Sequence, residues 1–242
     1  MRCASAIVDS VPAATLVRQP APSDEHAFVT AVRHSRELHS PWIEPPDSSA
    51  RYAQYLERLS RPEHAGFLVI DQADRGLVGF ININEIVLGT FGSGYLGYAA
   101  FAGKAGRGLM GDGLAQVVGI AFGAMGLHRL EANIQPSNKP SISLVTRLGF
   151  RHEGFSPRYL RVAGAWRDHD RFALTAEDWA ARAPGSGNLA EPRTDRETPL
   201  YVPEYRGSEQ LFGGCGVPPG ESGVDRFMPD GEPGKTLRQL WV

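Results

Sequence analysis

The chain has 242 residues, of which 42% are hydrophobic and 21% are charged, an ordinary balance for a globular protein. Its formal net charge is only −2, so the composition favours neither nucleic acid nor an anionic membrane as a partner. The two cysteines, Cys3 and Cys215, lie near opposite ends in no metal-ligand spacing, which argues against a disulfide framework and a zinc site. Asp9 interrupts the first apolar run, so we expect no signal peptide or membrane helix and predict a cytoplasmic protein.

The composition divides the chain into three parts. We expect residues 1–13 to be a flexible N-terminus and residues 14–182 to form one folded domain. From Pro184 to Val242 there are ten glycines and eight prolines in 59 residues. At that level too little apolar surface remains to offset the entropy of ordering the chain. We therefore predict that residues 183–242 form a disordered tail.

Helix and strand patterns alternate within the expected domain. Ser23 is followed by two acidic residues and has the character of a helix N-cap, and Asp47 or Ser48 is expected to cap a second helix. The periodicities predict a strand at 14–18, helices after 23 and after 48, strands at 67–70, 77–83 and 95–101, a long helix around 114–125, a strand at 128–134, a helix at 140–148, and two last strands joined by a hairpin at 163–164. This order predicts an α/β fold with a mixed sheet and helices on both faces.

A glycine-rich turn joins a predicted strand to the long helix within GYAAFAGKAGRGLMGDGLAQVV, residues 97–118. Successive backbone N–H groups in such a turn, beside a helix N-terminus, form a concave site for phosphate oxygens. Gly106 and Gly108 let the backbone approach an anion closely, and Lys104 and Arg107 add positive charge. Taken alone, the pattern fits a nucleotide or a flexible loop equally well, and it lacks the lysine and serine of a Walker motif.

Five sequence blocks occur in an order that resembles the GNAT superfamily, in particular the RimJ/RimL-like ribosomal-protein N-acetyltransferases. The blocks are YLGY at 95–98, AGRGLM at 105–110, GLHRLEANIQPSNKPSISLVTRLGF at 126–150, EGF at 153–155 and WRDH at 166–169. The resemblance covers residues 14–179. It implies the GNAT fold with a mostly antiparallel central sheet, acetyl-CoA as co-substrate, no metal, and direct transfer of acetyl from sulfur to an amine.

The resemblance also implies where acetyl-CoA binds. Its pyrophosphate would lie on the amides of the glycine turn, and its pantetheine arm would follow the strand at Tyr98, where that strand separates from the one near Ala132. Gly103 occupies the first position of the family's Q/R-x-x-G-x-G turn, so one side-chain contact to the phosphates is missing. The implied cofactor-binding residues are Tyr98, Ala99, Ala100, Phe101, Gly103, Lys104, Ala105, Gly106, Arg107, Gly108, Leu109, Asn138 and Ser141.

Three residues are candidates for the chemistry of transfer. The resemblance places Glu131 on a strand that faces the cleft, as a base acting through water; the alternative is a carboxylate paired with Arg129 or Arg151. Ser141 matches a serine that would protonate the CoA thiolate, and its alternative role is helix capping. The backbone N–H groups from Tyr98 onward are the candidate oxyanion donors.

Other positions carry weaker expectations. The tyrosine that many GNAT enzymes have one turn before LGF is Val145 here. Glu85 is a candidate for the acceptor entrance, although a solvated strand-end carboxylate is the alternative. His128 and His169 lie in family blocks at strand starts, where structural roles are favoured.

Three functions stay open at this point. The first is N-terminal acetylation of a protein, in particular a ribosomal protein, and the second is acetylation of a small amine such as an antibiotic or a polyamine. The third is an acyl-CoA-binding module with impaired catalysis. A cationic small molecule would need an acidic acceptor pocket, for which Glu44, Asp47 and Glu85 are too few. The expected partner is thus a protein N-terminus or a small amine, and the protein a monomer or homodimer.

Overall fold

The computed structural model describes residues 13–182; the predicted tail at 183–242 and nearly all of the predicted N-terminal segment lie outside them. Strands and helices alternate along this part of the chain. The strands are β1 (Thr15–Arg18), β2 (Ala65–Asp71), β3 (Leu77–Val87), β4 (Ser93–Ala100), β5 (Arg129–Ile134), β6 (Arg151–Val162) and β7 (Ala165–Thr175). The α-helices are α1 (Glu25–His34), α2 (Arg36–His39), α3 (Ser49–Leu59), α4 (Leu109–Phe122), α5 (Lys139–Arg147) and α6 (Ala176–Arg182).

The strands form one sheet in the order β1-β2-β3-β4-β5-β7-β6. Each neighbouring pair is antiparallel except β4 and β5, which are parallel. Parallel neighbours need a crossover connection, and α4 supplies it between these two strands. The mixed, mostly antiparallel sheet expected from the sequence is therefore confirmed.

Helices cover both faces of the sheet because successive strand residues point to opposite faces and both sets are largely apolar. On one face, Leu114 and Val117 of α4 and Val145 of α5 belong to a core that includes β4, β5 and β7. On the other face, the rings of Phe28 of α1 and Tyr52 of α3 pack at a tilt with their centroids 5.0 Å apart. None of the helices in the described part of the chain is long and apolar enough to cross a bilayer.

Two helix starts differ from the sequence prediction. Ser23 lies in a 3-10 turn, Pro22–Asp24, and does not cap α1. Its neighbour Asp24 instead accepts hydrogen bonds from the Arg18 guanidinium at 2.6 and 2.7 Å, which ties the turn to β1. Of the two candidates for α3, Ser48 is the cap, since its hydroxyl accepts from the N–H of Arg51.

The helix predicted after residue 23 is divided into α1 and α2. At Ser35 the chain breaks between α1 and α2, and the Ser35 hydroxyl donates to the Ala31 carbonyl at 2.7 Å. The same hydroxyl accepts from the N–H of Ala102, just after β4. This contact fixes α2 against the end of β4 and brings His39 over the carbonyl of Ala100.

Candidate active site

The strands β4 and β5 separate partway along their length. Their parallel pairing stops at Leu96 and Ala132, although β4 continues to Ala100 and β5 to Ile134. On its other edge β4 stays paired with β3 as far as Ala100. Beyond Leu96, β4 therefore presents an open backbone edge to a wedge-shaped gap.

A cavity of about 600 Å³ occupies this gap and extends along the N-terminal ends of α4 and α5. The residues predicted from the sequence that line it are Tyr98, Ala99, Ala100, Ala105, Gly106, Gly108, Asn138 and Ser141. The predicted residues that do not line it are Phe101, Gly103, Lys104, Arg107, Leu109, Glu85 and Glu131. The polar or aromatic lining residues that the sequence analysis did not assign to the site are His39, Trp42, Asn133, Gln135, Ser143, Arg147 and His169.

The turn before α4 presents unpaired backbone donors. Gly106 and Gly108 have φ values of 75° and 80°, which glycine adopts at little cost. Nothing lies within 4 Å of the place where a Cβ would stand on either residue. Within the described chain, no acceptor meets the N–H groups of residues 106–110. Together with the positive end of α4, these donors form a site suited to an anion.

The two basic side chains of the turn have different surroundings. Nζ of Lys104 donates to Asp71 Oδ2 at 2.7 Å and to Asp74 Oδ2 at 2.5 Å, and these hydrogen bonds raise the pKa of Lys104. Its charge is thus engaged by carboxylates and does not face the cavity. Arg107 is more exposed, and its guanidinium lies 4.0 Å from Asp71. Among the described residues that line the cavity, Arg147 is the only member of the set Lys, Arg, Asp and Glu.

Two hydroxyl groups meet at the start of α5. The phenol oxygen of Tyr98 lies 2.7 Å from Ser141 Oγ, and the two groups are hydrogen-bonded. Burial raises the pKa of the Tyr98 phenol above its ordinary value, so the group stays protonated. The N-cap of α5 is Asn138, whose Oδ1 accepts from the N–H of Ser141 at 3.3 Å. The alternative role of Ser141 as the helix cap is therefore wrong, and its hydroxyl faces Tyr98.

Glu131 is buried on β5, with only 5% of its surface exposed. Its carboxylate accepts from Arg129 Nε at 2.9 Å and from Arg171 Nη2 at 3.2 Å. The pairing with Arg129 that the sequence offered as an alternative is present, whereas Arg151 instead lies 3.5 Å from Glu153. The structure favours this paired state over the role of base, since Glu131 does not line the cavity.

Three residues of the cavity carry a buried polar atom that has no partner within the described chain: His39 Nδ1, Asn133 Oδ1 and His169 Nε2. In each histidine the other ring nitrogen lies 2.9 Å from a backbone carbonyl, that of Ala100 for His39 and that of Arg167 for His169. Because a carbonyl only accepts, that nitrogen carries the proton in both rings. Burial lowers the pKa of both histidines, so each is a neutral imidazole with a free lone pair.

Glu85 and His128 lie apart from the cavity lining. Glu85 is exposed at a bulge in β3 with φ of 50°, and its charge acts on Arg58 and His64. His128 precedes β5, and its Nε2 is 3.1 Å from Glu177 Oε1. Glu85, the candidate for the acceptor entrance, therefore does not line the cavity.

Solved structures with this fold include two that carry CoA. The RimJ protein of Mycobacterium smegmatis, solved in complex with CoA-disulfide, matches at a TM-score of 0.62 and 29% identity, over 67% of this chain and 82% of that one. The spermidine N-acetyltransferase of Vibrio cholerae, solved with CoA and spermine, matches at a TM-score of 0.60 over 69% and 98%. At 18% identity, the second likeness concerns the fold alone.

Sequence comparison defines the family. The acetyltransferase (GNAT) domain matches residues 15–151, more than half of the chain, and the chain belongs to that family. The ribosomal protein uS5-alanine N-acetyltransferase of Escherichia coli is 38% identical over 113 residues, or 47% of this chain and 58% of that protein. The match thus spans less than two thirds of that relative. The resemblance drawn from the five sequence blocks is confirmed.

Proposed function

We propose that the protein is an acetyl-CoA-dependent N-acetyltransferase that transfers acetyl directly to the N-terminal α-amine of a protein. One observation carries the proposal: the wedge between β4 and β5 opens from an anion site at α4 onto a cavity lined by neutral hydrogen-bond acceptors. The membership of the GNAT family and the RimJ relatives support the same activity.

The cavity suits two parts of acetyl-CoA, the pyrophosphate and the pantetheine arm. The free N–H groups of residues 106–110 suit the pyrophosphate, and Arg147 and Arg107 add positive charge nearby. The open edge of β4 beyond Leu96 offers N–H and C=O groups to the amides of the pantetheine arm, as a sheet edge does to an added strand. This arrangement would bring the thioester to the gap beside Tyr98 and Ser141.

Transfer requires three contributions from the chain. Backbone N–H groups on the open edge of β4 would stabilise the oxyanion that forms when the amine attacks the thioester carbonyl. As the new C–N bond forms, the amine nitrogen loses a proton; as the C–S bond breaks, the thiolate takes one. If Tyr98 donates to Ser141 Oγ, then the Ser141 hydroxyl is free to donate to that thiolate. The phenol would then restore the serine proton. The pair would thus take the role of the tyrosine that many GNAT enzymes have at the position of Val145.

The acceptor side favours an uncharged or singly charged amine over a polyamine. Among the described residues that line the cavity there is no Asp or Glu, and recognition of a polycation relies on carboxylates. Of the acidic residues considered from the sequence, Glu44 and Glu85 are exposed, and Asp47 is bound by Arg51 at 2.9 Å. An α-amine with a pKa near 8 is partly neutral at neutral pH, whereas a lysine amine with a pKa near 10.4 is not.

The test is a product analysis. Purified protein is incubated with acetyl-CoA and a mixed panel of N-terminal peptides, peptides with internal lysines, and small amines including spermidine, and the products are read by mass spectrometry. Acetylation confined to peptide α-amines is expected. Acetylation of small amines alone would overturn the substrate class, and CoA binding without any product would overturn the enzymatic proposal.

A further inference from the structure

Among the described residues that line the cavity, no carboxylate is available to take the proton of the attacking amine, since Glu131 is engaged by two arginines outside it. The remaining proton acceptors are the free ring nitrogens of His39 and His169. We propose that His169 is the general base of the acyl transfer and that Asn133 positions the amine beside it, an inference that rests on the function proposed above.

The position of His169 on the sheet supports this role. Leu130, Ala132 and Ile134 of β5 face the core beneath α4, so Asn133 points to the opposite face. Asn133 pairs with Arg171 of β7, and His169, two residues from Arg171, shares that face. Tyr98, packed against the α4 core, approaches the gap from the other face. A base and an acid on opposite sides of the gap suit an amine and a thioester that meet within it.

The ring of His169 is held in the state that a base needs. Its Nδ1–H donates to the Arg167 carbonyl at 2.9 Å, which leaves the lone pair on Nε2. The Tyr159 ring packs on it at 6.1 Å, at a bulge of β6 where Arg158 N–H donates to Asp168 Oδ1. The residue is 1% exposed, and Nε2 has no hydrogen-bond partner within the described chain. A buried acceptor without a partner is costly, and an amine N–H would satisfy it.

The surroundings of the two histidines distinguish them. Against the effect of burial, the pKa of His169 is raised first by the Arg167 carbonyl that accepts from its ring and then by the neighbouring Asp168 carboxylate, which would stabilise an imidazolium. For His39 the opposing contribution comes from the Ala100 carbonyl. The other titratable groups on the His169 side are Tyr159, Tyr95, Glu131, Arg129 and Arg171, and both arginines bind Glu131. His169 is thus the better suited of the two to hold a proton during the reaction.

The proton balance follows directly. Nε2 of His169 takes the proton that the amine nitrogen loses as its C–N bond to the acetyl carbon forms. The C–S bond breaks, and the CoA thiolate takes a proton from the Ser141 hydroxyl. His169 then releases its proton to solvent when product leaves, and the hydroxyl pair regains one.

The experiment replaces His169 by Asn, whose side-chain amide still reaches the Arg167 carbonyl but carries no base at the Nε2 position. We expect kcat to fall about 10²- to 10³-fold, with unchanged CoA affinity by calorimetry and unchanged melting temperature. Added imidazole should partly restore the activity of a His169→Ala variant. The matched control is His152→Asn, on β6 outside the cavity lining, which should keep wild-type kcat.

Two results would overturn the proposal. One is a His169→Asn enzyme that keeps kcat within about threefold, or a loss that only His39→Gln shows. The other is nitrogen NMR of histidine-labelled wild-type protein that finds Nε2 of His169 protonated at pH 7. If wild type acetylates small amines but no peptide, the proposed substrate class fails, yet His169 is still tested with the amine that reacts. If it acetylates nothing, both proposals fail.

Discussion

The hydrogen-bonded hydroxyls of Tyr98 and Ser141 bear on how the thiolate leaves. A side chain that protonates a leaving group typically contributes between 10²- and 10⁴-fold to the rate. We therefore expect Ser141→Ala to lower kcat about 100-fold with little change in the KM for acetyl-CoA, because the N–H that Asn138 caps stays in place. Steady-state kinetics with the amine that reacts measure both constants.

The matched variant for this prediction is Tyr98→Phe, which keeps the ring and removes the oxygen that lies 2.7 Å from Ser141. It should lower kcat by a smaller factor than Ser141→Ala, since the serine hydroxyl can still donate. The double variant should be no slower than Ser141→Ala alone, because the two groups act as one unit. Additive losses would contradict a shared proton path.

The space beside Gly103 is large enough for a longer side chain. Gly103 follows β4 in a 3-10 turn, and nothing lies within 4 Å of the place where its Cβ would stand. We expect Gly103→Arg to supply the side-chain contact to the phosphates that the family pattern contains. A charge-assisted hydrogen bond at a partly exposed site should tighten CoA binding about three- to tenfold.

Isothermal titration of CoA measures this affinity. Gly103→Glu introduces the same bulk with the opposite charge and should weaken binding at low salt, with the difference shrinking as salt rises. Equal effects of Arg and Glu would show that residue 103 does not approach the phosphates.

At the scale of the element, α4 lies close to the sheet because Gly113 has no side chain. A Cβ on Gly113 would stand 2.5 Å from Val69 Cγ1, whereas one on Gly119, in the same helix, would meet nothing within 4 Å. We expect Gly113→Ala to destabilise the protein by about 1–3 kcal/mol through overpacking. The matched variant Gly119→Ala should stabilise it by up to about 1 kcal/mol, from helix propensity.

Denaturant unfolding of the two variants gives the two free energies. Gly113→Ala should also move the N-terminus of α4, which carries the anion site, so its CoA affinity should fall while that of Gly119→Ala should not. A neutral Gly113→Ala variant would mean that α4 can shift away from β2 freely.

The elements most accurately predicted from the sequence were those with strong local signals. The proline and the LGF glycine bounded α5, and the Ala163–Gly164 pair marked the hairpin, where both residues have positive φ. The sequence blocks also located the glycine turn. These signals are local, so they do not depend on which elements later pack together.

Other parts of the site depend on tertiary contacts that no local pattern reports. The break at Ser35 is fixed by its contact with Ala102, far along the chain, and it is this break that brings His39 into the cavity. The sequence contained one indication of Asn133. Strand alternation places Asn133 on the same face of β5 as Glu131, which the resemblance had assigned to the cleft. The sequence favours a structural role for His169 because it lies in a family block at a strand start, and its unpartnered Nε2 is visible only once β6 packs on β7.

At the scale of the whole molecule, buried neutral histidines make the stability sensitive to mild acid. Burial lowers the pKa of His39 and of His169 below the ordinary value of 6.5 that applies in the unfolded chain. Between the folded and unfolded values the unfolded state binds more protons, so stability is full above pH 6.5 and is lost as pH falls. Each such histidine contributes a slope of up to about 1.4 kcal/mol per pH unit within that window.

We therefore expect the free energy of unfolding to fall between pH 7 and pH 5, measured by urea denaturation at constant ionic strength. Arginine-paired carboxylates such as Asp24 and Glu153 have lowered pKa values and act at more acidic pH, so they do not account for a change in this window. Replacing His169 by Asn removes one of the titrating groups and should flatten the slope. A slope that His169→Asn does not alter would mean that the pKa of this ring is the same in the folded and the unfolded protein, and that result would contradict the lowering of its pKa by burial.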